Sequence, residues 1–404
     1  MTGLVPLETL LRKQKLLVCV GPGGVGKTTM AAAMGLRAAA MGRRVLVLTI
    51  DPAKRLADAL GLDGLDDRIQ EVTTEALRAR GIKVPGALHA AMFDNAVSMD
   101  SLMGRVAPNP ETRDRILANR VYRAMAGSLA RSHAYLAMER LYEVMQAEQY
   151  DLVILDTPPA RNALDILDAP GRLASFLEEG VVKWFVRGRE AKGLRGRLLQ
   201  TGGVAATKLF GVVAGKEFLA EVMAFFEVFY EMRHGFRERA TAIQKIMVET
   251  GSSFVLVSST DTTHIEDARA LGASVCDRGI DLASVVFNRS YERLTGDPLE
   301  IVTHMDERDV PTTVDSLWPS SVEAPPPQLG ALLATLADHR ERAVAANAQA
   351  LITSRSLLAA LSLQGEPTYV GRVQGEVSDL FGLYDLIRYF GGESPSLERR
   401  ISTH

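Results

Sequence analysis

Cysteine is scarce in this chain: 404 residues carry two, Cys19 and Cys276. Each sits in an apolar stretch, and they form no C-x-x-C pair. That excludes a disulfide framework, a zinc clasp and a soft-metal cage, fits a reducing compartment, and makes both expected core thiols. An excess of either charge is missing too. A net charge of −3 sets up no basic field, so no nucleic-acid partner is expected. No apolar run approaches the length of a membrane span, and Met1 to Lys15 has no apolar signal core. The expectation is a soluble, cytoplasmic protein. Internal repeats and long low-complexity segments are absent as well. Length is not lacking: the chain can bury a large core, as two domains or as one large domain carrying insertions.

The stretch from Leu16 to Met41 organises the rest. Leu16 to Val20 is an apolar run that reads as a buried strand, and Ala31 to Met41 is a run of strong helix formers. Between them Gly21, Pro22, Gly23, Gly24, Val25, Gly26, Lys27 and Thr28, followed by Thr29, fit G-x-x-x-x-G-K-[ST]. Glycines let backbone N–H groups turn inward around phosphate oxygens, and the helix N-terminus adds the positive end of its dipole. In such a loop Lys27 reaches the β/γ-phosphates and the Thr28 hydroxyl holds Mg²⁺. With strand, loop and helix in sequence, a chance Gly-rich turn carries little weight against a nucleotide site.

Two further apolar runs end in carboxylates. Val45 to Ile50 leads to Asp51, and the C-terminal end of a parallel strand lies on the edge where such sheets bind ligands. Asp51 there orients or deprotonates a water, or holds a Mg²⁺-bound one; equally, it is placed to N-cap a helix from Pro52 to Leu60. Leu152 to Leu155 delivers Asp156 in the pattern of a strand bringing a carboxylate to the Mg²⁺ shell. The segment after it, Thr157, Pro158, Pro159, Ala160 and Arg161, has the composition of a switch loop that follows the γ-phosphate.

Elsewhere the pattern is mixed. Residues 85 to 148, including Pro85 to Arg105, read as mostly helical and as an insertion too long for an ordinary connection. A second helical stretch covers 170 to 250. It holds Trp184, Phe185 and a basic patch (Arg187, Arg189, Lys192, Arg195, Arg197), which is either ordinary surface and core or a face for a partner or lipid. Phe218 to Val248 reads as one amphipathic helix with Phe225, Phe226, Phe229, Tyr230 and Phe236 in its core. Strands are expected at Ser253 to Ser258, Leu282 to Phe287, Asp309 to Val314 and Thr368 to Val373. Helices are expected at Thr262 to Arg278, 328 to 361 and Leu380 to Tyr389, with a stiff break at Pro325 to Pro327. Asn288, at a strand end, offers a donor and an acceptor to a purine edge, or serves as a turn residue or cap. These elements compose an α/β, P-loop nucleoside-triphosphatase fold over residues 1–404. It is a mainly parallel sheet flanked by helices, with the two insertions forming a helical subdomain.

Three segments taken together, GPGGVGKTT at 21–29, DPAKRLAD at 51–58 and DTPPARNALDILDAP at 156–170, bring a family into view. The chain resembles the ATPases of the arsenite-pump and tail-anchored-protein-targeting family, which have deviant Walker A loops, and within it the bacterial branch labelled anion-transporting ATPase. The likeness runs nearly the full length, to EVSDL at 376–380. It implies Lys27 and Thr28 at the phosphate and Mg²⁺ positions and Asp51 as the aspartate that positions the attacking water. It also implies Asp156 near Mg²⁺ and Asn288 as reader of adenine. The cofactors it implies are ATP/ADP and Mg²⁺. It further implies a homodimer closing and opening with hydrolysis, and a client protein or membrane partner.

The sequence departs from the family pattern in three places. The first lysine of the usual loop, which crosses the dimer, is Pro22 here, with neither charge nor N–H. Slow hydrolysis, a substitute cation among Lys54, Arg55 and Arg161, or a paralogous partner supplying the lysine in a heterodimer are the consequences to weigh. The family's intersubunit zinc cysteines are absent, so no zinc is expected. Two cysteines also cannot make the three-thiolate arsenite site, which disfavours an arsenite-stimulated pump subunit. A nucleotide-gated scaffold with little turnover is the alternative that Pro22 favours.

Overall fold

The structure is a computed structural model that describes residues 3–51, 55–66, 68–93, 95–129, 133–158, 168, 216–248, 251–290, 329–371, 377 and 379–391. An eight-stranded sheet forms its centre, in the order β3-β4-β2-β5-β1-β6-β7-β8. The strands are β1 (Leu16–Val20), β2 (Arg44–Thr49), β3 (Gln70–Glu71), β4 (Ala87–Met92), β5 (Leu152–Asp156), β6 (Ser252–Ser258), β7 (Leu282–Ser290) and β8 (Thr368–Gly371). Every pairing is parallel except that of β3 with β4. Helices cover both faces, which is why β1 and β5 are buried throughout and, but for Asp156 at the tip of β5, apolar rather than alternating.

Alternate residues of β1 serve different cores. Leu17 and Cys19 pack with Met30 and Met34 of the helix Lys27–Ala40. Leu16, Val18 and Val20 share the opposite core with Tyr122, Leu136, Phe225 and Phe236 from the helices beyond. Each fully buried Leu or Val contributes about 1.5–3 kcal/mol relative to exposure, so the central strand is held from both sides. Because β2, β5, β1, β6 and β7 are neighbours and parallel, their C-terminal ends share one edge, where a sheet of this kind presents its ligand crevice.

The α/β class and the mainly parallel sheet flanked by helices, the architecture of a P-loop nucleoside triphosphatase, are as expected from the sequence. Several elements differ. Residues 87–92, expected to be helical, form β4 and pair with β2 in register from Arg44↔Ala87 to Thr49↔Met92. The helix there spans only Asn95–Val106. The hexapeptide ALHAAM has no β-branched residue, so local propensity points to a helix; pairing with a buried neighbour decides otherwise. Cys276 is exposed rather than in the core, since Val275 takes the inner face at the end of its helix; Cys19 is buried.

The single helix expected over 218–248 is two, Lys216–Glu231 and Arg233–Val248. Of its aromatics Phe225, Phe229 and Phe236 form core, with Phe225 and Phe229 rings 5.1 Å apart and Phe229 and Phe236 rings 5.4 Å apart, while Phe226 and Tyr230 are only partly buried. The sequence Pro108-Asn109-Pro110, two prolines inside the helical stretch 85–148, starts a new helix: the Asn109 side chain accepts from Thr112 N at 2.8 Å, with Pro110 as first helical residue. The long helix Leu329–Ala360, β8 and the closing helix Leu380–Ile387 fall where expected. The Trp184 region with its basic patch, the strand at Asp309–Val314, the break at Pro325–Pro327, and Lys54, Pro159 and Arg161 lie outside the described residues. Among the described residues, no helix is long and apolar enough to cross a membrane.

Candidate functional site

The loop between β1 and the helix Lys27–Ala40 folds so tightly that its glycines are required by contact. A Cβ on Gly21 would lie 2.0 Å from the Val257 carbonyl oxygen of β6. Gly26 has φ 87°, and a Cβ there would come within 2.5 Å of Asn288 Nδ2. Gly26 is also the N-cap, and no side chain caps the helix. The first-turn N–H groups therefore retain the anion-binding capacity of an uncapped helix start. Lys27 turns back into the loop: it is 7% exposed, and its Nζ donates to the Pro22 carbonyl at 2.8 Å. Burial lowers its pKa; Asp156, Cys19 and Asp51 oppose that shift, and Arg55 reinforces it. A lysine held this way has a charge-seeking ammonium satisfied by one neutral carbonyl.

Across from it stands Asp156, fully buried at the tip of β5. Its Oδ2 accepts from the Thr49 hydroxyl at 2.9 Å, while Oδ1 has no hydrogen-bond partner among the described residues. Burial raises its pKa to about 6, against the lowering influence of the Thr28 and Thr49 hydroxyls and of Lys27. A buried polar atom left unpaired costs free energy, so the carboxyl is poised for a group that the protein does not itself provide. The neighbouring Thr28 hydroxyl and Asp51 make the donor set all oxygen, the chemistry of Mg²⁺. Among the described residues no three His, Cys, Asp or Glu side chains gather to hold a metal unaided. A cation here would draw the rest of its shell from water and phosphate, as Mg²⁺ does. The residues fit that ion.

Two hydroxyls knit the site together: Thr49, missed in the sequence, and Thr157, expected there only as part of the switch segment. Thr49 donates to Asp156 and accepts from the Asp51 backbone N–H at 3.3 Å, so one side chain touches both carboxylate-bearing segments. Its only sequence signal is a polar residue ending an otherwise apolar strand. Thr157, next after Asp156, donates to the Cys19 carbonyl at 2.6 Å, fastening the start of that segment to β1. Pro158 is partly buried beside it. Asn288 comes to the loop itself: Nδ2 donates to the Val25 carbonyl at 2.9 Å and Oδ1 accepts from Arg289 N–H at 2.9 Å. Thus Gly21, Pro22, Val25, Gly26, Lys27, Thr28, Asp51, Asp156 and Asn288 converge on one edge of the sheet.

The family model described as anion-transporting ATPase matches residues 14–302, which contain every site residue named above. A protein of Streptomyces coelicolor, named uncharacterized protein SCO2128, is 34% identical over 164 residues, 40% of this chain and 39% of that protein. ATPase GET3 of Malassezia globosa is 24% identical over 285 residues, 70% of this chain and 75% of its own. A protein of Prosthecochloris vibrioformis, provisionally named an arsenical pump-driving ATPase, is 29% identical over 184 residues, 43% of this chain and 40% of its own. The chain thus spans about two fifths of the first and third of these relatives. With its loop, its strand-tip aspartates and a family match over most of its length, the chain belongs to the anion-transporting ATPase family.

Proposed function

We propose that this chain is a Mg²⁺-dependent ATPase that hydrolyses ATP to ADP and phosphate. The observation carrying this is the fully buried Asp156, with one oxygen unpaired among the described residues, near an uncapped helix start and a lysine whose ammonium donates to the Pro22 carbonyl. Loop N–H groups and the N-terminus of the helix Lys27–Ala40 bind the phosphate chain, and the Lys27 ammonium exchanges the Pro22 carbonyl for a β/γ-phosphate oxygen. Thr28 would ligate Mg²⁺, with Asp156 and Asp51 holding its waters, and the ion would neutralise charge on the phosphates. Asp51 orients the water that attacks the γ-phosphate, and preorganised N–H donors favour the charge that develops.

The fastening of Thr157 to Cys19, and of Thr49 to both carboxylate segments, supports a role for 156–161 (Asp156, Thr157, Pro158, Pro159, Arg161) as a switch loop. Movement at Asp156 is transmitted there to the strand beside it. We further read the protein as a dimer whose cycle moves helices of the two insertions, 85–148 and 170–250, to handle a client protein or membrane partner. Of the three cations considered for the lysine missing at Pro22, Arg55 is described; its charge bears on Lys27, which favours it as the substitute.

Phosphate release by the full chain at saturating MgATP tests the proposal, with Lys27→Ala as the blank. A rate above the blank supports it, and equality with the blank overturns turnover. In that event ATP binding without hydrolysis points to the nucleotide-gated scaffold, the reading that the captured Lys27 and the uncharged Pro22 favour. Binding of an apolar helical peptide only in the ATP state supports client handling; equal binding with ATP, ADP or no nucleotide removes it.

A further inference from the structure

The two oxygens of Asp156 are unlike, and the chain fixes which is which. Thr49 and Asp156 are both buried and stand opposite each other in the β2–β5 pairing. Both backbones are pinned. The Ile50 N–H donates to the Asp156 carbonyl at 3.2 Å, and the Phe93 N–H donates to the Thr49 carbonyl at 3.0 Å. On its other side Asp156 pairs with Cys19 of β1. A hydroxyl has a single proton to give. The Asp51 N–H, at 3.3 Å, engages a lone pair of the Thr49 oxygen, and the proton goes to Asp156 Oδ2 at 2.9 Å. Oδ1 is as deeply buried and has no partner among the described residues. It is therefore the one oxygen of this carboxylate left for the metal site.

We propose that Thr49 sets which cation the site accepts with its nucleotide: by holding Oδ2 it limits Asp156 to one oxygen, which suits hydrated Mg²⁺ and disfavours Ca²⁺. Mg²⁺ dehydrates reluctantly and keeps several waters, and a single carboxylate oxygen suffices to accept a hydrogen bond from one of them. Ca²⁺ gathers more oxygens in a looser geometry, and a carboxylate often grips it through both of its own. That grip is closed while Oδ2 is bonded to Thr49. Thr49 acts through Asp156, as a positioning residue. This rests on the ATP-site reading above, and deepens it by naming how that same site discriminates between ions.

The test is calorimetric binding of a non-hydrolysable ATP analogue to the full chain in MgCl₂, in CaCl₂ and in EDTA. Wild type is compared with Thr49→Val, which keeps the shape without the hydroxyl, and with Thr49→Ser, which keeps the hydroxyl. Thr49→Cys, whose thiol donates weakly, stands in should valine fail to fold, and thermal unfolding without ligand monitors the fold. Expected in Thr49→Val is a fall of about fivefold or more in the preference for Mg²⁺ over Ca²⁺, the size of one net hydrogen bond, through tighter binding in CaCl₂. Affinity in MgCl₂ and in EDTA stays within about twofold, and Thr49→Ser keeps the wild-type preference. An unchanged preference in a folded valine or cysteine variant would overturn the inference, as would a wild type that has no such preference. So would a serine variant that behaves like valine, or a preference that falls through weaker binding in MgCl₂ alone. An equal loss in all three solutions would also overturn it, because Thr49 would then shape the loop and not the cation site. Loss of the ATP-site reading itself looks different: wild type and Lys27→Ala would then bind the analogue alike in every solution.

Discussion

Replacing Asp156 by asparagine separates what the site costs the fold from what it does. Burial lifts the Asp156 pKa from its ordinary 3.8 to about 6. An acid whose folded pKa lies above its unfolded value is bound to more protons in the native state. The native state is therefore disfavoured as pH rises from about 4 through 6. Two units at about 1.4 kcal/mol each come to about 3 kcal/mol lost by neutral pH in the ligand-free protein. The carboxamide of Asp156→Asn does not titrate. It keeps an oxygen for the Thr49 hydroxyl but puts an N–H where Oδ1 now lies unpaired, a cost of about 1–3 kcal/mol. The two effects nearly cancel in absolute stability at pH 7, so the difference between pH values decides.

Urea unfolding of both proteins between pH 4.5 and 7.5, without nucleotide or metal, should show the variant gaining on wild type by about 2 kcal/mol across that range. MgATP should raise the wild-type midpoint far more than that of the variant. Parallel pH curves for the two proteins would refute the reasoning, because Asp156 would then be ionised alike in folded and unfolded chains.

Three further outcomes follow from the geometry. Thr49→Val keeps the shape of the strand but removes the bridge between Asp156 and the Asp51 backbone; phosphate release should fall about tenfold or more while nucleotide affinity changes little, read by steady-state kinetics beside direct binding. Gly21→Ala drives a methyl group into the Val257 carbonyl; the loop must shift, with stability down by about 1–3 kcal/mol by chemical denaturation and MgATP binding lost by calorimetry. In the native protein a maleimide should label Cys276 and leave Cys19 untouched until unfolding, since Cys19 is buried and its thiol is held far from ionisation; mass spectrometry of the labelled peptides settles it.

The phosphate loop was legible because its chemistry is local: the glycines, Lys27 and Thr28 act within one turn of chain, and their spacing is their mechanism. Asp51 and Asp156 were legible for a related reason, each being the polar end of an apolar run, though their convergence required parallel neighbouring strands. The strand Ala87–Met92 was not legible, since alanine, leucine and methionine favour helix and it is pairing, with β2 along its whole length and with the short β3, that imposes extension. Nor was the break at Met232 between two helices expected as one.

By itself, then, the sequence determined the α/β class, the loop, the carboxylate at each of two strand tips and the family. Only the tertiary structure decided that Lys27 is folded onto Pro22, that Thr49 joins the two carboxylate segments, and that Asn288 grips Val25. The partners of those contacts differ in how far the chain must travel to bring them together. Val25 and Asn288 are 263 residues apart, and no pattern within either segment encodes the other; strand order alone makes them neighbours.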